Sequence, residues 1–164
     1  MNKIILKTVT TVVLVGTLST AAVADEPQFG LGVGVAGQNS ATLRGTISLE
    51  DNMRVEPYFG FSYQDKNPSN GNSETTLDVG SALHMMQPIN SVLTAYYGGF
   101  AGIHNYDYGT GNNSGTIFNF GPVAGVEYAL DKQFTLGAEM RFNLGFGDET
   151  AIGTESSVLL RYYF

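Results

Sequence analysis

The sequence predicts an all-β fold: an eight-stranded antiparallel transmembrane β-barrel with up-and-down meander topology. Apolar and polar residues alternate along eight segments of the 164-residue chain, which is typical of strands that have one apolar face. Short turns alternate with longer polar connections, as they do in membrane barrels. The charged residues of the predicted strands lie mainly on the face opposite the apolar one.

The first four strands are predicted from alternation interrupted by turn residues. The apolar positions of the first two are Phe29, Leu31, Val33 and Val35, followed by Leu43, Ile47 and Leu49. Asp51 and Asn52 then predict a tight turn. The apolar positions of the third and fourth strands are Met53, Val55, Phe59, Phe61 and Tyr63, followed by Leu77, Val79, Leu83 and Met85. Residues 65–73, rich in Asn, Ser, Gly and Pro, predict the loop between these two strands.

The last four strands follow the same pattern. The fifth, residues 92–104, is the least regular, because Tyr96 and Phe100 share a face with His104. Residues 105–114 and 147–155 predict polar loops, and a turn at residues 131–133 separates the sixth and seventh strands. The apolar positions of the sixth and seventh strands are Phe118, Phe120, Ala124, Val126 and Tyr128, followed by Phe134, Leu136, Ala138, Met140, Phe142, Leu144 and Phe146.

The N-terminal segment predicts export. Two lysines precede an apolar stretch centred on residues 12–15, and small residues then lead to Ala24. This is the layout of a secretory signal peptide, and the apolar core is too short to favour an uncleaved membrane anchor. We therefore expect a signal peptide at residues 1–24 and a single barrel domain at residues 25–164.

Composition excludes several kinds of site. The chain has no cysteine, so disulfides, thiol nucleophiles and thiolate metal sites are excluded. Removal of the signal peptide leaves six basic residues against fifteen acidic ones, a net charge of about −9. Such a surface is not expected to bind nucleic acid.

Charged residues on the polar face predict a network inside the barrel. In a water-soluble barrel they would face solvent, whereas in a membrane barrel they would point into a narrow lumen, where unpaired charge is costly. Four arginines and four carboxylates could pair there. The residues of this expected lumen charge network are Arg44, Arg54, Glu56, Asp78, Glu127, Glu139, Arg141 and Arg161.

The closing strand carries the clearest family resemblance. It alternates through Val158, Leu160 and Tyr162 and ends on Phe164, and it resembles the closing strand of bacterial outer-membrane β-barrels. The resemblance implies that these four residues form the assembly signal read by the barrel-assembly machinery.

The predicted barrel as a whole resembles the OmpA/OmpX-like family of eight-stranded outer-membrane barrels. The best-matching segments are residues 125–130, 136–142 and 161–164. The resemblance implies an integral protein of the Gram-negative outer membrane, surrounded by outer-membrane lipids and lipopolysaccharide, and we expect a monomer. Pro57 and Pro122 lie within predicted strands, where each is expected to mark a bulge or a later strand start.

Catalytic and metal sites are not expected. His104 and Ser114 are separated by a polar loop, and the deacylases of this class carry a serine two residues after the histidine, where this chain has Tyr106. His84 is expected to form hydrogen bonds in the lumen beside Asp78. The loops lack the spacing of a calcium loop, so we expect no cofactor, no metal and no enzymatic activity.

Three functions stay open at this stage. The leading one is a structural, envelope-stabilising or surface-adhesion role through extracellular loops. The alternative is a narrow channel or a carrier for small molecules, although the lumen of so small a barrel should be filled by side chains, which makes a general diffusion porin improbable. The third is a lipid A-modifying enzyme.

Deletion of Phe164 should impair assembly in cells far more than it destabilises the finished barrel, because one interfacial aromatic side chain is a small part of the lipid-facing area. We expect precursor or degraded protein in the periplasm, detected by immunoblotting. The same variant refolded in detergent should still migrate as a compact, heat-modifiable band, as the wild-type chain refolded in parallel should. Normal assembly of the variant in cells would contradict the resemblance to an outer-membrane signal.

Overall fold

In a computed structural model of the chain, eight antiparallel strands close into a barrel. The structure describes residues 29–36, 40–50, 52–67, 72–108 and 114–164, so the expected signal peptide lies outside the described residues. Each strand pairs with its neighbours in sequence, and the last pairs with the first. The predicted fold class, an up-and-down meander barrel, is confirmed.

The strands differ in length. They are β1 (Phe29–Ala36), β2 (Ser40–Glu50), β3 (Met53–Asn67), β4 (Asn72–Pro88), β5 (Leu93–Asp107), β6 (Ser114–Ala129), β7 (Phe134–Gly147) and β8 (Ala151–Tyr163). The part of the chain that the structure describes has no helix with the length and apolarity needed to cross a membrane.

The polarity of the barrel is inverted relative to a water-soluble protein. Outward side chains such as Leu31, Phe61 and Met140 are 51%, 57% and 60% exposed, whereas Arg44 and Glu56, which point inward, are 1% and 0% exposed. We call the outward apolar side chains the apolar belt. An apolar surface that encircles the molecule fits a hydrocarbon environment, and closure of the barrel pairs the backbone groups that such an environment cannot solvate.

We call the end of the barrel with the β3–β4, β5–β6 and β7–β8 connections the loop end, and the opposite end the turn end. The strands extend further at the loop end than the sequence predicts. β3 continues to Asn67 and β4 begins at Asn72, so most of the predicted loop at residues 65–73 belongs to a hairpin. β5 likewise continues to Asp107, inside the predicted loop at residues 105–114. Polar composition predicts contact with water, but backbone pairing between two polar strands continues regardless of side-chain polarity.

The predicted loop at residues 147–155 is wrong in extent. β8 begins at Ala151, which leaves a connection of residues 148–150. Gly147 ends β7 with a φ of 150°, and a Cβ at this position would collide with the carbonyl oxygen of Thr116. Glycine at this position therefore allows a short connection after β7, where composition alone predicts a longer loop.

The two strand prolines interrupt the ladder without shifting it, so the expected bulges or later strand starts are wrong. Rungs are missing between β2 and β3 beside Pro57 and between β6 and β7 beside Pro122, but the register is the same on both sides of each gap. A proline removes one donor, and each proline keeps its rung with the strand on its other side. The register shifts lie elsewhere, near Glu50 and near Asn67.

The inner face of β1 provides space for the lumen. It carries Gly30, Gly32 and Gly34, and a Cβ on Gly34 would lie 2.7 Å from a methyl group of Leu159. A Cβ on Gly32 would lie 2.9 Å from Cγ of Arg161. Because β1 contributes so little volume, side chains from β8 can cross in front of it.

Single cysteines should report which end of the barrel faces the cell exterior. The native chain has no cysteine, and Glu149 and Lys132 are exposed in the connections after β7 and β6, at opposite ends of the barrel. We expect a membrane-impermeant maleimide to label Glu149→Cys on intact cells, because it lies at the same end of the barrel as the long β3–β4 and β5–β6 hairpins, and the end with the longer hairpins faces outward in outer-membrane barrels. Lys132→Cys should be labelled only after lysis. Labelling of Lys132→Cys on intact cells would invert the topology.

Candidate functional site

Charged side chains cross-link the strands through the lumen. Nη1 of Arg44, on β2, donates to Oε1 of Glu56, on β3, at 2.8 Å and to Oε1 of Glu139, on β7, at 2.9 Å. One guanidinium therefore joins strands that are not neighbours in the sheet. A bond across the lumen holds opposite parts of the wall at a fixed separation.

A second set of ion pairs continues the network towards the turn end. Arg161 donates from Nε to Oε2 of Glu56 at 2.8 Å and from Nη1 to Oε2 of Glu127 at 2.9 Å. Arg54 donates to the same Glu127 oxygen at 2.7 Å. Glu56 and Glu127 thus each accept from two arginines, so each carboxylate balances more than one cation.

Arg141 closes the network towards the loop end. Its Nε donates to Oε1 of Glu139 at 2.8 Å, and its guanidinium carbon lies 4.6 Å from the ring centre of Tyr58 and 5.0 Å from that of Phe100. Both distances are within the range of cation–π attraction. The lumen network, as we call the connected set, comprises Arg44, Arg54, Glu56, Glu127, Glu139, Arg141 and Arg161, each at most 7% exposed.

Two tyrosines complete the hydrogen bonding of the carboxylates. The hydroxyl of Tyr96 donates to Oε2 of Glu139 at 3.1 Å, and that of Tyr163 donates to Oε1 of Glu127 at 2.8 Å. Sequence reasoning did not include these tyrosines, although each lies on the polar face of its strand. Saturation of the carboxylate oxygens matters because buried ion pairs are tolerated only when their remaining hydrogen-bonding capacity is also satisfied.

Two residues lie apart from their expected partners. Asp78 was expected among the arginines, but its Oδ1 lies 2.7 Å from Nδ1 of His104, its register partner on β5. His84 was expected beside Asp78, but its Nδ1 accepts from Nε of Arg54 at 3.4 Å, and its ring lies 4.7 Å from that of Tyr96. Alternation assigns a residue to a face, whereas its height along the barrel depends on register.

The expected assembly-signal residues lie on the outward face of the barrel, in the second half of β8 and at the residue that follows it. Val158, Leu160 and Phe164 are 58%, 47% and 67% exposed. The ring of Tyr162 lies 4.9 Å from that of Phe134 and 5.2 Å from that of Phe164. This aromatic cluster is consistent with a membrane interface, and its role in assembly stays a prediction.

The turn beside this cluster is fixed by Asp131. Its Oδ1 accepts the backbone N–H groups of Phe134 and Gln133, each at 2.7 Å. These two bonds hold the pKa of Asp131 below its usual value. Nε2 of Gln133 donates to the hydroxyl of Tyr162 at 3.0 Å, so the turn also orients the aromatic cluster.

The residues weighed as catalytic or metal-binding are not brought together. The register partner of His104 on β6 is Ile117, whereas Ser114 pairs with Asp107. Within the described ranges, no three His, Cys, Asp or Glu side chains converge in a way that could hold a metal ion. The described charged side chains of the lumen network pair with one another instead.

Comparison with known proteins identifies the fold. No protein-family model and no curated protein matches the chain. Among solved structures, Neisserial surface protein A is 17% identical, with a TM-score of 0.61 over 83% of this chain and 93% of that one. Outer membrane protein Ail of Yersinia pestis is 14% identical, with a TM-score of 0.55 over 85% and 100% of the two chains. The N-terminal β-barrel domain of Pseudomonas aeruginosa OprF is 14% identical, with a TM-score of 0.52 over 82% and 95%.

The chain has the fold of the small eight-stranded outer-membrane β-barrels. The family resemblance expected from the sequence is confirmed at the level of the fold, which is what identities this low can support.

Neutralising one carboxylate of the lumen network should destabilise the barrel strongly. Glu139→Gln leaves Arg44 and Arg141 without their shared carboxylate, and breaking a buried pair typically costs about 3–5 kcal/mol. We expect a clearly lower midpoint of urea unfolding in detergent. Far-UV circular dichroism can measure it, because the chain has no tryptophan for fluorescence. Lys132→Gln, in an exposed turn, is the control and should leave the midpoint nearly unchanged. Equal midpoints for the two variants would mean that the lumen charges are solvated.

Proposed function

We propose that this chain is an integral protein of the bacterial outer membrane, in which a closed barrel acts as a rigid anchor for hairpins displayed at the cell surface. Its role is structural: it stabilises the envelope and presents those hairpins for adhesion. The observation that carries the proposal is the inverted polarity of the barrel, with the apolar belt outside and the lumen network inside. Shape similarity to outer-membrane barrels supports it.

The filled lumen favours an anchor over a channel. Arg44 and Arg161 reach across the lumen to carboxylates on other strands, and the side chain of Tyr58 covers the glycines of the next two strands, Gly80 and Gly102, where a Cβ would collide with the tyrosine hydroxyl. A channel or carrier would have to break several of these bonds. The alternative function is therefore less well supported than the structural one.

The hairpins provide the surface for contact. β3 to β6 are 15, 17, 15 and 16 residues long, whereas a tilted membrane strand needs about 9–11. Several rungs of the β3–β4 and β5–β6 hairpins would therefore project beyond the bilayer. Paired strands keep such projections ordered, which suits recognition of an external partner.

The enzyme hypothesis has the least support. His104 is oriented by Asp78, but a serine hydrolase also needs a nucleophile within hydrogen-bonding reach of the histidine. In the described part of the chain, no serine or threonine hydroxyl is hydrogen-bonded to His104. Ser114 lies further towards the hairpin end of β6.

Shortening a surface hairpin should separate display from anchoring. In a deletion strain, we expect the variant in which residues 65–74 are replaced by an Asn-Gly turn to restore resistance of the envelope to detergent. We expect it not to restore adhesion to host cells or abiotic surfaces, because the projecting part of the β3–β4 hairpin is missing. Lys132→Gln, altered at the opposite end of the barrel, is the matched control and should restore both.

Three results would contradict the proposal. One is a deletion strain that keeps normal adhesion and normal detergent resistance. Another is steady conductance of the purified wild-type protein in planar bilayers, which would favour the channel. Altered lipid A in the mass spectrum of the overexpressing strain would favour the enzyme.

A further inference from the structure

His84 contacts the lumen network from the inner face of β4. Its side chain is completely buried, and its register partner on β3 is Arg54. Nδ1 of His84 lies 3.4 Å from Nε and 3.3 Å from Nη2 of that arginine. A guanidinium can only donate hydrogen bonds. Nδ1 is therefore the acceptor, and the imidazole carries a single proton, on Nε2.

The bonds at Nδ1 are the ones that hold the ring. Within the residues that the structure describes, Nε2 of His84 has no hydrogen-bond partner. Oε2 of Glu139 lies 3.7 Å from it, which is longer than an N–H···O bond, and this oxygen already accepts from the hydroxyl of Tyr96. The position of the imidazole therefore depends on Arg54 and on its ring contact with Tyr96, at 4.7 Å.

The charge balance of the network shows what the imidazole contributes. The lumen network contains four arginines and three glutamates. Arg54 donates from Nη1 to Glu127 and to the hydroxyl of Tyr163, whereas its Nε and Nη2 are directed at His84. Oε2 of Glu56 lies 3.9 Å from Nε. A neutral imidazole thus accepts from the guanidinium where a fourth carboxylate is missing.

The surroundings of His84 leave little room for a second proton. The charged and titratable groups that face the ring come from β3, β5, β7 and β8, and they are Arg54, Glu56, Tyr96, Glu139 and Arg161. Both carboxylates in this set already accept from two arginines. A charged imidazole would therefore compete with cations for carboxylates that are in use, and a buried charge without its own partner is costly.

We propose that His84 makes the lumen network sensitive to acid, because a proton bound at Nδ1 displaces Arg54 and loosens the turn-end half of the network. The proton takes the lone pair that accepts from Nε and Nη2, so both bonds break and one more cation enters the lumen. Arg54 then keeps only the bonds from Nη1 to Glu127 and Tyr163. This inference concerns the interior and does not depend on the proposed role of the hairpins.

The other histidine of the chain should respond to acid in the opposite direction. Nδ1 of His104 lies 2.7 Å from Oδ1 of Asp78, so a second proton on this ring adds a positive charge beside a carboxylate and strengthens the pair. The chain has two histidines, and histidine is the side chain that ordinarily titrates between about pH 7.5 and 5.5. Substituting one histidine at a time therefore separates the two effects.

Urea unfolding in detergent at about pH 7.5 and 5.5 can test the proposal. In His104→Gln, His84 is the histidine that remains. The unfolded chain binds a proton there as the pH falls through about 6.5, whereas the folded barrel binds it only by releasing Arg54. The folding equilibrium constant should therefore fall about tenfold over this range. His84→Gln should show no such fall, because the amide oxygen can accept from Arg54 and does not titrate. The variant with both substitutions is the control and should not respond to pH.

A second measurement leaves His84 unchanged, in case His84→Gln does not fold. Nitrogen NMR of the folded His104→Gln variant, labelled in histidine, should show one proton on Nε2 and none on Nδ1 at about pH 7.5. Three results would overturn the proposal: a folding constant of His104→Gln that does not change with pH, an equal fall in His84→Gln, or a proton on Nδ1 at the higher pH. The proposed surface role would stand in each case, because the deletion strain tests it separately.

Discussion

The pairing of buried charge inside the barrel is the constraint on which the rest of the structure depends. Four arginines occupy the lumen, and a buried guanidinium is tolerated only beside a carboxylate with good hydrogen-bond geometry. Three glutamates meet this need because each is shared: Glu56 and Glu127 each accept from two arginines, and Glu139 does the same. Loss of a shared carboxylate removes an ion-pair partner from two guanidinium groups at once, although Arg44 and Arg161 would each keep a second carboxylate.

This sharing is possible because one part of the wall is thin. The glycines of β1 let Arg161 and Leu159 pass in front of the strand, and Arg161 then reaches carboxylates on β3 and β6. Larger residues on β1 would keep β8 and β2 side chains apart, and the ion pairs would lose the geometry that makes them tolerable. The small inner residues of β1 therefore make room for the large inner side chains of the other strands.

The sequence predicts well which face of a strand a residue lies on, but it predicts poorly how far along the barrel axis that residue lies. Alternation alone assigns Arg44, Glu56 and Arg161 to the interior, because a strand has only two faces and one of them is apolar. It does not say how far along the barrel a residue lies, which is why Asp78 was expected among the arginines and lies instead beside His104. The unshifted ladder at the prolines depends on the register of the strands, and the early start of β8 depends on backbone pairing between polar segments. Neither can be predicted from composition.

A lumen filled in this way supports the proposed function, which lies on the outer surfaces. Every interior carboxylate of the network is engaged by at least two donors, so interior chemistry would have to begin by breaking a stabilising bond. The outer surfaces lie in different environments: in the proposed embedding, the long hairpins contact water and the apolar belt contacts hydrocarbon.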